Sequence, residues 1–310
     1  METRRLRFVI NVIGAVALAG HLGFAQAGKS GFSILKLGVS AQGIAMADAI
    51  NACVQGAAAT YYNPAALSPP LTMTSPTQVM ITHREWIQDT RTEFLGARVA
   101  LSDRDALGFS MNSTAVSDIE IRTRPGPAEG TFTARDFWIG ASYARQFSDD
   151  VSIGATAKFL YEKILVDEAS GIGVDLGAVY KTPVEHLSVG AVIANIGSLG
   201  NLRDQKTQLP TLLRLGGAYK FEYPDPSLLL TIATDFVHIF PEGQSHLNLG
   251  AEVLFNQTVA ARAGYRFGSE GQKLSAGIGI LYLFLGLDYA YAPLAFDLGN
   301  THTISLSFRF

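Results

Sequence analysis

Charged residues stand singly between apolar neighbours along much of this 310-residue chain. Arg98, Lys158, Arg214, Lys220, Arg262, Arg266 and Arg309 are the basic members, and Asp175, Asp235, Glu252 and Asp288 the acidic ones. Two kinds of chemistry could use such a set: a polar pathway, or a hydrogen-bonded filling between packed elements. Buried charges need partners, and both signs are present, which favours the filling. The signatures of catalysis and metal binding are missing. The 6 histidines are scattered, with no His-x-x-His or cysteine-rich spacing. No Gly-x-Ser-x-Gly elbow occurs, and no motif marks a Ser/His lipase site. Gly171-Ile172-Gly173 begins a strand pattern with no helix behind it, so it reads as room for a packed segment rather than a nucleotide loop. Neither an enzyme nor a cofactor is expected. Lys plus Arg (24) nearly balances Asp plus Glu (27), so nothing points to nucleic acid.

The elements carrying these charges alternate with period two. The last ten residues set the pattern. His302, Ile304, Leu306, Phe308 and Phe310 form one face, and Thr303, Ser305, Ser307 and Arg309 the other. So apolar an edge aggregates unless another strand pairs with it. Earlier stretches repeat the pattern, such as Val151–Lys163, Gly171–Lys181, Thr258–Phe267 and Lys273–Tyr282. About fourteen segments of ~10 residues emerge, the length that a tilted transmembrane strand needs. Connections after even-numbered segments are short, as at Asn256–Gln257 and Leu283–Phe284. Those after odd ones include the long Ser113–Arg135 and Gly197–Pro210. That asymmetry predicts an antiparallel outer-membrane β-barrel, with the long loops outside the cell. Aromatic residues, among them Trp86, Trp138, Tyr180, Phe255 and Tyr282, are expected at the rims. Ile278 is expected to face lipid, so that Ile278→Arg is costly while Gly277→Ser matters less.

Residues 1–27 read as a secretory signal. Arg4, Arg5 and Arg7 precede the apolar run Phe8–Leu22, and Ala25-Gln26-Ala27 fits a small-x-small cleavage site. Removing three arginines and Glu2 moves the formal charge from −3 to −5. Cys53 is the only cysteine, so no intrachain disulfide is possible, and no lipobox precedes it. Residues 28–70 do not alternate. Ser40–Ile50 could form a short helix, and Pro64 can open a turn over Pro64–Leu67 while keeping Asn63 out of helix. Three units follow: signal 1–27, N-terminal segment 28–70, and barrel 71–310.

Leu35-Lys36-Leu37-Gly38-Val39-Ser40-Ala41, Met46-Ala47-Asp48-Ala49 and Tyr62-Asn63-Pro64-Ala65-Ala66-Leu67 resemble the opening of the PorV/PorQ family, within the wider FadL-like barrels. Asp288-Tyr289-Ala290-Tyr291-Ala292-Pro293 and Leu298-Gly299-Asn300-Thr301-His302 resemble its C-terminal end. Ala66 replaces a common family glycine, and Asn51–Gln55 lacks the usual acidic residues. The resemblance implies a plug in the barrel mouth carrying Asn63, Pro64 and Ala65. Separately, the last strand, alternating and ending in Phe308 and Phe310, resembles the terminal signal of bacterial outer-membrane β-barrels, which docks on the barrel assembly machinery. The functional implication of the family resemblance is non-enzymatic work beside a type IX secretion or surface-attachment apparatus, with secreted cargo or secretion-system subunits as partners. The alternative it leaves open is a transporter of hydrophobic small molecules. The segment holding Arg122, Arg124 and Pro125 suits contact with another protein.

Overall fold

The computed structural model describes residues 29–68, 76–87, 90–203, 205–223 and 227–310. The expected signal segment, the chain up to residue 28, and residues 69–75 lie outside the described residues. In chain order the strands are β1 (Thr77–Glu85), β2 (Thr90–Ala100), β3 (Asp105–Ile121), β4 (Gly130–Gln146), β5 (Val151–Ile164), β6 (Asp167–Lys181) and β7 (Leu187–Leu199). Then come β8 (Asn201–Leu202), β9 (Gln205–Lys206), β10 (Leu212–Glu222), β11 (Leu228–Ile239) and β12 (Gln244–Phe255). β13 (Val259–Phe267), β14 (Leu274–Tyr282), β15 (Leu285–Pro293) and β16 (Asn300–Arg309) complete the set.

All but β8 and β9 join one closed antiparallel barrel of 14 strands. β8 and β9 form a small hairpin within the β7–β10 connection. β1 pairs with β16, from Gln78 opposite Arg309 to Glu85 opposite His302, so no edge remains open. Alternation sorts the side chains. In β16 Thr301, Thr303 and Ser305 are buried while His302 and Ile304 are exposed. Ile278 is 59% exposed on the outer surface, in a band with Leu274 and Ile280. An exposed apolar exterior around a polar interior is the outer-membrane pattern.

One rim carries connections of two to five residues: 101–104, 147–150, 182–186, 223–227, 256–258 and 283–284. We call it the turn rim. The opposite, loop rim carries 122–129 and 200–211, along with the two-residue turn 165–166. The expected loop Ser113–Arg135 is mostly strand. β3 and β4 are 17 residues each and continue past a register shift between Val116 and Ile119, leaving 122–129 as the connection. Weak alternation across that bulge hid the strands from the sequence. Trp138 corrects a second expectation. It is fully buried rather than set at a rim, because β4 turns it inward between the outward-facing Phe137 and Ile139.

Candidate functional site

Residues 29–68 lie inside the barrel, against the inward faces of strands around most of its circumference. The segment enters at the loop rim, where Gly31 donates to the Gln208 carbonyl at 3.0 Å. Lys36 pairs with Glu242 at 2.6 Å, and Ser30 donates a short hydrogen bond to the same carboxylate. Burial alone would raise the Glu242 pKa, but the Lys36 and Ser30 contacts together hold it below the ordinary value of 4.5. The segment leaves at the turn rim, where Ser68 meets Ser152 at 2.8 Å and Arg98 Nε donates to the Leu67 carbonyl at 2.7 Å.

Between these ends the backbone follows its own local chemistry. Ser40 caps the helix Ala41–Ala45, its hydroxyl accepting from the Gly43 N–H at 3.0 Å. Asn63 is extended, as a residue before proline must be, and its side chain accepts from the Ala65 N–H at 3.1 Å. With Pro64 in its first turn, the 3-10 helix Pro64–Leu67 follows directly. The same Asn63 amide donates to Asn51 Oδ1 at 2.9 Å and to the Ala178 carbonyl of β6 at 3.2 Å. Asn51 in turn bonds Asp235 Oδ2 through its N–H at 3.0 Å and the Gly190 carbonyl through its side chain at 3.0 Å. One asparagine therefore fixes a turn, joins two stretches of the segment and anchors both to the wall. Asn51 takes part although its stretch lacks acidic residues.

Charges fill the interior in groups. Asp48 accepts from Tyr62 at 2.7 Å and from Arg266 at 2.7 Å. The Arg214 guanidinium lies over Tyr61 and Tyr62, 5.3 and 5.6 Å from the ring centroids. Lys158 pairs with Asp175 at 2.6 Å, donates to Asn195 and sits 5.3 Å from the Trp138 ring centroid. Trp138 itself stacks on Tyr61. Arg262 bridges Glu252 and Asp288 at 2.5 and 2.6 Å. The seven basic and four acidic strand residues named at the outset all face inward, and most are paired, as a hydrogen-bonded filling requires. Asp48, Asn51, Tyr62 and Trp138 were missed. The first three lie in an irregular stretch without periodicity, whereas Trp138 was recoverable from strand parity alone.

Close approach explains several interior glycines, though not Gly173, whose nearest neighbours would stand 3.9 Å from a Cβ. A Cβ on Gly154 would stand 2.5 Å from the Pro64 carbonyl carbon, and one on Gly277 2.6 Å from Ala45 Cβ. Gly277 is therefore not the tolerant neighbour of Ile278 expected from sequence. Gly171 differs again: its crowding comes from the β7 backbone, not from the N-terminal segment.

Asn63, Pro64 and Ala65 are thus buried together against β5 and β6. Phe310 and Thr77 exchange backbone hydrogen bonds at 2.9 and 3.3 Å, at the seam between β16 and β1. Arg122, Arg124 and Pro125 are exposed in the 122–129 loop, where Arg122 contacts Glu120 and the Gly126 carbonyl. Among the described residues no group of three or more metal-binding side chains gathers.

Within the outer-membrane β-barrel class that this fold defines, the comparisons narrow the assignment. Residues 57–308 match the family described as type IX secretion system membrane protein PorP/SprF. The chain belongs to that family. The match names PorP/SprF rather than PorV/PorQ. Solved barrels share the fold at low identity. The CymD monoaromatic hydrocarbon channel is 15% identical with a TM-score of 0.63, covering 88% of this chain and 98% of that one. The Pseudomonas putida toluene transporter TodX is 13% identical with a TM-score of 0.59, covering 87% and 96%. The Ralstonia pickettii toluene transporter TbuX is 14% identical with a TM-score of 0.55, covering 88% and 98%. No curated protein sequence matches.

Proposed function

We propose that this barrel is a non-enzymatic outer-membrane component of a type IX secretion or surface-attachment system, working through its exposed loops while residues 29–68 plug the lumen. The observation that carries the reading is the family match over residues 57–308. The plug role is supported by the burial of Asn63, Pro64, Ala65 and Leu67 and by the anchors at both rims. In this reading the signal is cleaved near Ala27, the turn rim faces the periplasm and the loop rim faces outward. The barrel sits in outer-membrane lipid. Phe308 and Phe310 serve assembly, and secretion-system subunits or secreted cargo contact the loop of Arg122, Arg124 and Pro125. The PorV/PorQ resemblance bears on which branch of this machinery it serves, cargo carriage or surface attachment.

A transporter of hydrophobic small molecules is the second reading, supported only by the shared barrel fold of the hydrocarbon channels. A charged, paired interior disfavours an apolar ligand. The test replaces Arg122–Glu129 with a two-residue turn. Loss of secretion or surface assembly with normal heat-modifiable gel migration is expected. Unchanged secretion, together with a stoichiometric hydrophobic ligand found by native mass spectrometry, would replace this reading with the transporter. Removing Phe308–Phe310 is expected to leave the chain in the periplasm, and normal outer-membrane levels of that truncation would refute the assembly role.

A further inference from the structure

Among the described residues the filling leaves hollows at the turn rim, one of about 290 Å³ along the ends of β4–β7 and a roomier group across the barrel from it. A cavity of about 640 Å³ opens at the turn rim within the β11–β16 half, with Gln42 and Gln55 of the N-terminal segment on its inner wall. It shares Gln42, Gln55, Glu252 and Arg309 with an adjoining hollow of about 180 Å³, which Lys220 also lines. The size is that of sites that enclose ligands, ~300–1,000 Å³.

Its lining carries two carboxylates, Glu252 and Asp288, and two guanidiniums, Arg262 and Arg309, and the adjoining hollow adds Lys220. Glu252 and Asp288 are both engaged by Arg262, and Gln42 donates to Glu252 at 3.1 Å. The side chains of Lys220 and Arg309 make no hydrogen bond or ion pair with any described residue, and Arg309 Nε is buried without a partner. Partly buried cations facing a hollow favour an anion there. The remaining surface asks for more than a small ion. Leu229 and Leu254 lie beside the two cations, and Gln55 projects an exposed amide able to pair with a peptide backbone.

We propose that this cavity is a socket for an extended acidic peptide segment of a partner protein. Carboxylates would meet Lys220 and Arg309, apolar side chains would meet Leu229 and Leu254, and backbone groups would meet Gln55. The proposal deepens the secretion reading, in which the turn rim faces the periplasm. Its test on purified protein needs no orientation, so the two can fail separately.

Full-length protein in detergent would be titrated calorimetrically with hexaglutamate at low salt, with inorganic phosphate as the competing probe. Saturable peptide binding is expected, weakened at least tenfold by Lys220→Gln and not displaced by equimolar phosphate. Arg309→Gln lies on the closing strand and can impair assembly. Lys220→Gln lies on β10 away from that seam and carries the test, with heat-modifiable migration reporting its fold. No binding, or binding unchanged in Lys220→Gln, overturns the proposal. Phosphate binding as tight as the peptide overturns the peptide assignment, and self-association that blocks the peptide assigns the cavity to a second copy.

Discussion

The two halves of the barrel are built from the same alternating strands yet hold different interiors. In the β2–β7 half the strands run from 11 to 17 residues, and the interior is packed with large side chains. Trp138, Phe94, Leu160, Tyr61 and Leu67 form one buried cluster there. In the β12–β16 half the strands run from 9 to 12 residues. The helix Ala41–Ala45 packs there through small contacts, with Ala41, Ile44 and Ala45 against Ala290 and Ala292. Met46 and Ala47 pack on Gly250 and Gly264, and much of the remainder of that half is charge and open volume. The tall half is filled mainly by large side chains, with the buried Lys158–Asp175 pair among them, and the short half more by ion pairing. Lost volume should therefore damage the first most, and lost charge should be partly forgiven in the second, where water reaches the groups.

The largest expected effect tests packing. Trp138→Ala should cost about 3–5 kcal/mol in denaturant unfolding from lipid vesicles. Leu254→Ala, at the hollow, should cost clearly less. Equal losses would break the contrast. Charge comes next. Lys158→Met strands Asp175, whose side chain is 0% exposed, and should cost about 3–5 kcal/mol, the range for breaking a buried pair. Arg262→Met leaves Glu252 and Asp288 with 14% and 22% exposure, so a smaller loss is expected in the same assay.

The wall of the short half gives a paired test. Ile278→Arg places a charge on the lipid face, at about 2–4 kcal/mol if near mid-membrane. Gly277→Ser should now be damaging as well, because its side chain meets Ala45 and the Tyr289 carbonyl. Tolerance of Gly277→Ser would mean that the Ala41–Ala45 helix does not rest on β14. The smallest effect concerns the Lys36–Glu242 latch at the loop rim. Glu242 has a folded pKa below its unfolded one, so its contribution is present above the unfolded value and fades as pH falls through the folded one. Protease sensitivity of the N-terminal segment should rise at acid pH in the natural protein. Lys36→Met, which leaves only the Ser30 contact, should weaken that pH dependence, and an unchanged acid response in this variant would place the titrating group elsewhere.

Strand number, inside and outside faces, and the polar interior were legible in the sequence because a barrel wall imposes period two on each strand wherever it runs. The inward charges follow from that period, and so does the inward place of Trp138, one residue from Phe137 and Ile139 on the opposite face. The turn at Asn63-Pro64 was equally local, set by the restriction proline places on its predecessor. Which charges pair was beyond reach. Arg266 meets Asp48 from 218 positions away, and no pattern along the chain encodes that distance. The strands beyond Val116 and the intolerance of Gly277 belong to the same class. A bulge breaks the alternation that reveals a strand, and a glycine's neighbour is known only once the segment inside the barrel has been placed. A closed wall with a charged lining can be read along the chain, since each strand must satisfy lipid on one face. How that lining is filled emerges only on folding, because the partners come from different strands and from an aperiodic segment folded among them.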